Sequence, residues 1–214
     1  MQIKYNITPR KEQIKYIVIH DTGNTNNGAD AMAHFNYFNS GNRNSSADYF
    51  IDSENILIVN DYKKYYTWHC GDGNGKNGIT NKNSVGIEMC VNSDGDYEKA
   101  FKNLISHTAF LAKELNIDPD NILRHFDVSG KICPFSMSGN KWEKWTEFKN
   151  EVRKKMSESK FNDIKNHYAE KHIKKLEFYG IINGDEKGMF NPDKPLTRGD
   201  GAIMLANALT ILGK

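Results

Sequence analysis

Residues 16–23, Tyr16-Ile17-Val18-Ile19-His20-Asp21-Thr22-Gly23, decide the fold class. The apolar, β-branched run from Tyr16 to Ile19 has polar neighbours on both sides and reads as a short buried strand. It stops at a histidine, where side chains project from a sheet edge into a cleft, and an Asn/Gly-rich loop follows to Gly28. Working outward, residues 48–52 and 56–59 form a strand pair, and Ser53-Glu54-Asn55 between them suits a hairpin turn. Residues 85–91 make another strand, closed by Asn92-Ser93-Asp94-Gly95, while 71–83 are so dense in Gly and Asn that they must be loop. Helical patterns alternate with these strands at 31–38, 97–115 and 142–156. The second is the clearest, since Phe101, Leu104, Ile105, Thr108, Leu111, Ala112 and Leu115 recur at three- and four-residue steps. Such alternation predicts an α/β layer around a sheet core.

Length and composition bound the rest. The chain has 214 residues, roughly 1.4 domains of ordinary size, and 38% hydrophobic residues with 17 glycines support a packed core. A formal net charge of +2 argues against nucleic acid as a partner, because phosphate binding shows as a basic excess. No apolar run approaches the roughly 20 residues of a membrane span. The first residues lack the apolar core of a secretory signal, so the expected site of synthesis is the cytoplasm. The expected division is a catalytic domain at 1–156, a small polar linker at 157–160 and a separate helical unit at 161–214.

Three cysteines cannot form a closed disulfide framework, so one of them is a candidate for metal or catalysis. His20, His125 and Cys133 together offer two imidazoles and a thiolate. With one tetrahedral position left open, this is the donor set of catalytic rather than structural zinc. The competing reading is a core histidine, a surface histidine and a buried thiol with nothing in common. Glu88 sits on an otherwise apolar strand, where a carboxylate is costly without a partner or a task. Alternation puts Gly86, Glu88 and Cys90 on one face, opposite Val85, Ile87, Met89 and Val91. His34 and His107 fall on predicted helices and read as structural or solvated, Cys90 as a small buried hydrophobe, and Cys70 as a weak candidate for the metal. Asn183-Gly184-Asp185 and Asn191-Pro192-Asp193 lack the spaced acidic ligands of a calcium loop.

Four ordered segments carry a resemblance: residues 16–22, Trp68-His69-Cys70-Gly71, Ser84-Val85-Gly86-Ile87-Glu88, and 124–134 (Arg-His-Phe-Asp-Val-Ser-Gly-Lys-Ile-Cys-Pro). Together they resemble the zinc-dependent N-acetylmuramoyl-L-alanine amidases of the type 2 family, which includes many phage endolysins and bacterial autolysins. The resemblance spans roughly residues 10–155 and implies a central mixed sheet flanked by helices. It implies His20, His125 and Cys133 as ligands of Zn2+, Glu88 as general base and Lys131 as the oxyanion-stabilising group. It also implies Tyr49 as an accessory near the metal, and Trp68 and His69 as residues of the cleft that touch substrate. The substrate would be bacterial peptidoglycan, cut between N-acetylmuramic acid and L-alanine.

The tail resembles one surface-layer homology repeat, through Phe161-Asn162-Asp163-Ile164, Gly180-Ile181-Ile182-Asn183-Gly184, Phe190-Asn191-Pro192 and Leu196-Thr197-Arg198. That likeness implies binding of secondary cell-wall polysaccharide with Arg198 at the contact, although Gly199-Asp200 replaces the more usual Ala-Glu. A small all-α unit is expected, with Gly180 ending one helix and a Thr197/Asp200 capping box starting the next. A single repeat implies either weak wall affinity or assembly into a homo-oligomer, and the bland alternative is a helical dimerisation module. For the whole chain the expectation is an endolysin-type amidase acting on the wall after release. The alternatives are a non-catalytic peptidoglycan-binding protein with structural zinc, and a cytoplasmic amidase recycling muropeptides.

Overall fold

The computed structural model describes residues 1–211, and the chain divides into two compact units, Met1–Arg153 and Lys154–Lys214. In the first, a five-stranded sheet is built from β2 (Tyr16–Asp21), β3 (Tyr49–Ile51), β4 (Ile56–Ile58), β6 (Ser84–Met89) and β7 (Ile122–Arg124). The spatial order is β4-β3-β6-β2-β7; β3, β6, β2 and β7 run parallel and β4 antiparallel, so the sheet is mixed as expected. β1 (Ile7–Pro9) and β5 (Tyr65–Thr67) form a separate antiparallel ribbon that local patterning does not announce. Each has three residues, and Pro9 cannot donate to a ladder.

Helices cover both faces. α1 (Ala31–Asn39) starts where the Asp30 carboxylate accepts from Ala33 N at 2.7 Å. It packs Ala31, Phe35 and Phe38 against Phe50 and Cys90. α2 (Tyr97–Leu115) is capped by Asp96 and ends at Asn116, whose φ of 56° is the left-handed stop. It buries Phe101, Leu104, Thr108 and Leu111, and its His107 ring lies 4.5 Å from that of Tyr49, on the opposite face of the sheet from Phe50. α3 (His125–Ser129) is a single turn, and in α4 (Gly139–Ser157) the regular helix begins only after Trp142, because Asn140, Lys141 and Trp142 all have positive φ. The Arg124 guanidinium lies 4.3 Å from the Trp142 ring, which supports that distorted entry.

The pairing register positions the site. His20 lies beside Glu88 on β6, and Glu88 lies beside Phe50 on β3, so these three share one face at the carboxyl edge of parallel strands. Ile19, Ile87 and Tyr49 share the other face. In open α/β sheets the ligand crevice lies at that carboxyl edge.

The second unit contains α5 (Glu170–Phe178) and α6 (Arg198–Ile211), with a small core of Phe161, Ile164, Ile173 and Ile182. The Asp163 carboxylate ties the irregular connection by accepting from Phe190 N and Asn191 N at 2.8 and 2.6 Å. At the start of α6 one half of the expected capping box forms, Thr197 Oγ1 accepting from Asp200 N at 3.1 Å; the Asp200 carboxylate takes the Thr197 hydroxyl at 2.6 Å instead of returning to the backbone.

Candidate metal centre

His20 ends β2, His125 opens α3 directly after β7, and Cys133 follows the loop that Gly130 turns at φ 86°. One donor atom from each lies within 4.8 Å of the others, and all three residues are buried. His20 Nδ1 and His125 Nδ1 are 3.1 Å apart, and Cys133 Sγ is 3.8 Å from His20 Nδ1. Tetrahedral bonds of ~2.0 Å to nitrogen and ~2.3 Å to sulfur would separate such donors by roughly 3.3–3.6 Å. The side chains are therefore spaced to close on one cation with little movement. Burial holds the His20 imidazole well below its usual pKa, and the neighbouring His69, His125 and Lys131 push it the same way. Burial raises the Cys133 thiol to about 12, with Glu88 adding to the shift. A cation favours the neutral imidazoles and thiolate that it needs as ligands.

The far nitrogens of both histidines are occupied. His125 Nε2 donates to Asp72 Oδ1 at 2.7 Å, and His20 Nε2 is 3.0 Å from His69 Nδ1. Such outer partners orient metal-binding histidines. Asp72 is a functional candidate that sequence patterns do not reveal, since it lies in the Gly/Asn-rich loop and meets His125 only through a contact 53 residues long. Burial pushes its carboxyl up, but the His125 hydrogen bond and charge outweigh that and leave it below the usual range.

Glu88 stands beside this cluster. Burial, reinforced by Asp21 and opposed by Lys131, raises its carboxyl to about 8. Its Oε2 is buried without a hydrogen-bond partner among the described residues. It lines a cavity of about 410 Å³ whose walls include Thr22, Ala33, His34, Tyr37 and Phe50. Lys131 is exposed, and its charge acts on Glu88, His20, His125, Asp72 and Cys133 alike.

Two expectations are placed elsewhere. Tyr49 is not beside the metal cluster: its pairing with Ile87 turns it to the opposite face, where its ring meets Tyr62 and His107. Phe50 takes the place beside Glu88. His69 is not an open cleft residue but is buried at 8% exposure, with one ring nitrogen on His20 and the other 3.1 Å from Ser84 Oγ. Gly86 makes room for it, since a Cβ there would stand 2.5 Å from His69 Cγ. Trp68 is 41% exposed, with its indole N–H donating to Thr8 Oγ1 at 3.1 Å. Arg198, in the other unit, is exposed at the start of α6.

Residues 10–136 match the family model described as N-acetylmuramoyl-L-alanine amidase, and residues 160–200 match that of the S-layer homology domain. The N-acetylmuramoyl-L-alanine amidase CwlH of Bacillus subtilis (strain 168) is 36% identical over 137 residues, covering 64% of this chain and 52% of the relative. CwlA of the same organism is 28% identical over 214 residues, covering 98% and 76%. The match spans 52% of CwlH and 42% of XlyA, another such amidase, about half the length of these relatives. Among solved structures, the catalytic domain of XlyA superposes with a TM-score of 0.62 at 35% identity, covering 69% of this chain and 91% of that one. PlyL gives 0.59 at 28% identity, covering 71% and 97%.

Proposed function

The chain belongs to the N-acetylmuramoyl-L-alanine amidase family, and on that premise we propose that it hydrolyses the amide bond between N-acetylmuramic acid and L-alanine in bacterial peptidoglycan. The observation that carries this proposal is the Glu88 carboxylate, its buried Oε2 without a hydrogen-bond partner among the described residues, beside the His20, His125 and Cys133 donors at the wall of an open cavity. A non-catalytic protein with structural metal has no use for such a carboxylate, because a buried polar atom without a partner costs stability.

The metal of this proposal is zinc, held by His20, His125 and Cys133, a set that leaves one position open. When bound, zinc lowers the pKa of a coordinated water toward about 7 and polarises a carbonyl. Glu88 takes the proton of the attacking water and returns it to the leaving amine of L-alanine; its raised pKa suits both halves of that task near neutral pH. Lys131, whose charge reaches Glu88 and all three donors, faces the negative charge that develops on the scissile carbonyl oxygen. Phe50, Ala33 and Tyr37 form the apolar part of the cavity, which excludes water from the flanks of the bond. Asp72 and His69 hold the two ligand histidines, and Trp68 offers an exposed ring to the glycan or peptide.

The second unit, by its match to the S-layer homology domain, holds secondary cell-wall polysaccharide through Arg198. Ile203, Leu205 and Leu209 of α6 are 59%, 68% and 49% exposed, which favours assembly of several chains through this helix. Digestion of purified sacculi followed by mass spectrometry tests the hydrolase. Free L-alanine amino termini should appear with the parent chain and disappear with Glu88→Ala, and intact muramoyl–alanine bonds with the zinc-loaded parent would refute it. Arg198→Ala should lower retention on sacculi without changing turnover of soluble muropeptides; unchanged retention favours the muropeptide-recycling reading.

A further inference from the structure

The hydrogen bonds that leave His20 away from the metal cluster run in one chain: His20 Nε2 to His69 Nδ1 at 3.0 Å, His69 Nε2 to Ser84 Oγ at 3.1 Å, and Ser84 Oγ to Thr80 O at 2.5 Å. The direction of every proton in it follows from the last member. The Thr80 carbonyl can only accept, so the single hydroxyl hydrogen of Ser84 goes there. Ser84 Oγ must then accept from His69, which places hydrogen on His69 Nε2. A neutral His69 ring with hydrogen on Nε2 presents a lone pair at Nδ1, so His20 is the donor in the third bond. Hydrogen on His20 Nε2 leaves its Nδ1 as a bare lone pair. That atom lies 3.1 Å from His125 Nδ1 and 3.8 Å from Cys133 Sγ.

We propose that His69 and Ser84 are positioning residues that set the tautomer of His20, so that a hydroxyl two hydrogen bonds away decides whether Nδ1 is free to bind the metal. The proposal rests on the assignment of His20 as a ligand. Nothing in the chain is optional. Ser84 is fully buried, and its partner carbonyl is fixed because Thr80 and Asn83 cap the short turn 81–83 reciprocally. Asn81 Oδ1 accepts from His69 N and Cys70 N at 3.1 and 2.8 Å, which pins the loop that presents the ring. Gly86 lies under the ring with no space for a Cβ, so His69 cannot swing toward β6. With Ser84 absent, His69 Nε2 loses its acceptor, the ring can carry hydrogen on Nδ1 instead, and His20 is then driven to hold its own hydrogen on Nδ1, where the metal should sit.

Long-range proton–nitrogen NMR on the full chain reads these tautomers directly. In the metal-free parent, His20 and His69 should both carry hydrogen on Nε2; in Ser84→Ala, His20 should acquire a population with hydrogen on Nδ1. Titration with Zn2+ against a chromogenic chelator should show Ser84→Ala and His69→Leu binding ~10–100-fold more weakly, the usual effect of losing an outer partner. His69→Gln, which can accept from His20 and donate to Ser84, should recover most of that loss. The proposal is overturned if His20 carries hydrogen on Nδ1 in the parent, if Ser84→Ala leaves both tautomer and Zn2+ affinity unchanged, or if His69→Gln is as weak as His69→Leu. Failure of the parent to bind Zn2+ would instead overturn the metal assignment, and the metal-free tautomers would still decide this one.

Discussion

Gly86→Ala is a one-carbon change that reaches the metal cluster through a ring. The added Cβ would stand 2.5 Å from His69 Cγ, 2.8 Å from Nδ1 and 2.9 Å from Cδ2. Carbon pairs rest at about 3.5–4.0 Å, so the ring must retreat by roughly 1 Å. Ser84 Oγ and Cys70 Sγ, 3.1 and 4.0 Å from His69 Nε2, limit how the ring can shift. A shift of that size misaligns the 3.0 Å contact between Nδ1 and His20 and lengthens it to as much as about 4 Å where it runs along the bond. Gly86 has no positive φ, so the backbone accepts alanine and the whole effect comes from the ring. Overpacking should cost about 1–3 kcal/mol of stability, seen as a lowering of the melting temperature by several degrees in the metal-free chain. Loss of the outer partner should weaken Zn2+ binding ~10–100-fold, or about 1.4–2.8 kcal/mol. The assay is a chelator competition beside thermal melts of metal-free and metal-loaded protein. A variant that melts lower but holds Zn2+ within twofold of the parent would refute the coupling between Gly86, His69 and His20.

Three further outcomes are expected. Tyr49→Phe should leave kcat/KM within about twofold and cost about 1 kcal/mol, because the hydroxyl shares its hydrogen bond with Tyr62 on the far face; a large loss of activity would restore Tyr49 to the site. Lys131→Ala should lower kcat/KM by ~10²–10³, the usual effect of removing one oxyanion donor. The Lys131 charge also lowers the Glu88 pKa, so its removal should move the acid limb of the pH–rate profile upward; an unmoved limb counts against Glu88 as the base. His107 is held at about 4, chiefly by burial, against an ordinary 6.5. The unfolded chain therefore binds the extra proton first, so stability is full above pH 6.5 and is lost as pH falls toward 4. Relative to His107→Leu the parent should lose up to about 3 kcal/mol across that window, measured by urea unfolding at several pH values; parallel curves would contradict the burial argument.

Periodicity made much of this molecule legible. The helix over 97–115 has the boundaries that its apolar stripe predicts, and alternation alone puts Gly86, Glu88 and Cys90 on one face. The placement of Tyr49 fails for a reason local patterns cannot supply: a strand shows which residues alternate, but only its register with β6 says which set faces Glu88. Asp72 is hidden differently. Its loop has no period to read, and its value lies in a hydrogen bond to a residue 53 positions away. The ribbon of β1 and β5 escapes because three-residue strands carry too little alternation to stand out from loop.

The segment from His69 to Ser84 supplies the hydrogen-bond partner of each histidine in the proposed metal set, Asp72 for His125 and His69 with Ser84 for His20. Both histidines therefore answer to one short, contiguous stretch of chain, although they sit 105 residues apart in sequence. Insertions and deletions along this segment have a joint effect, since one event can loosen the partners of both histidines. For anyone redesigning this protein the segment is a natural control point.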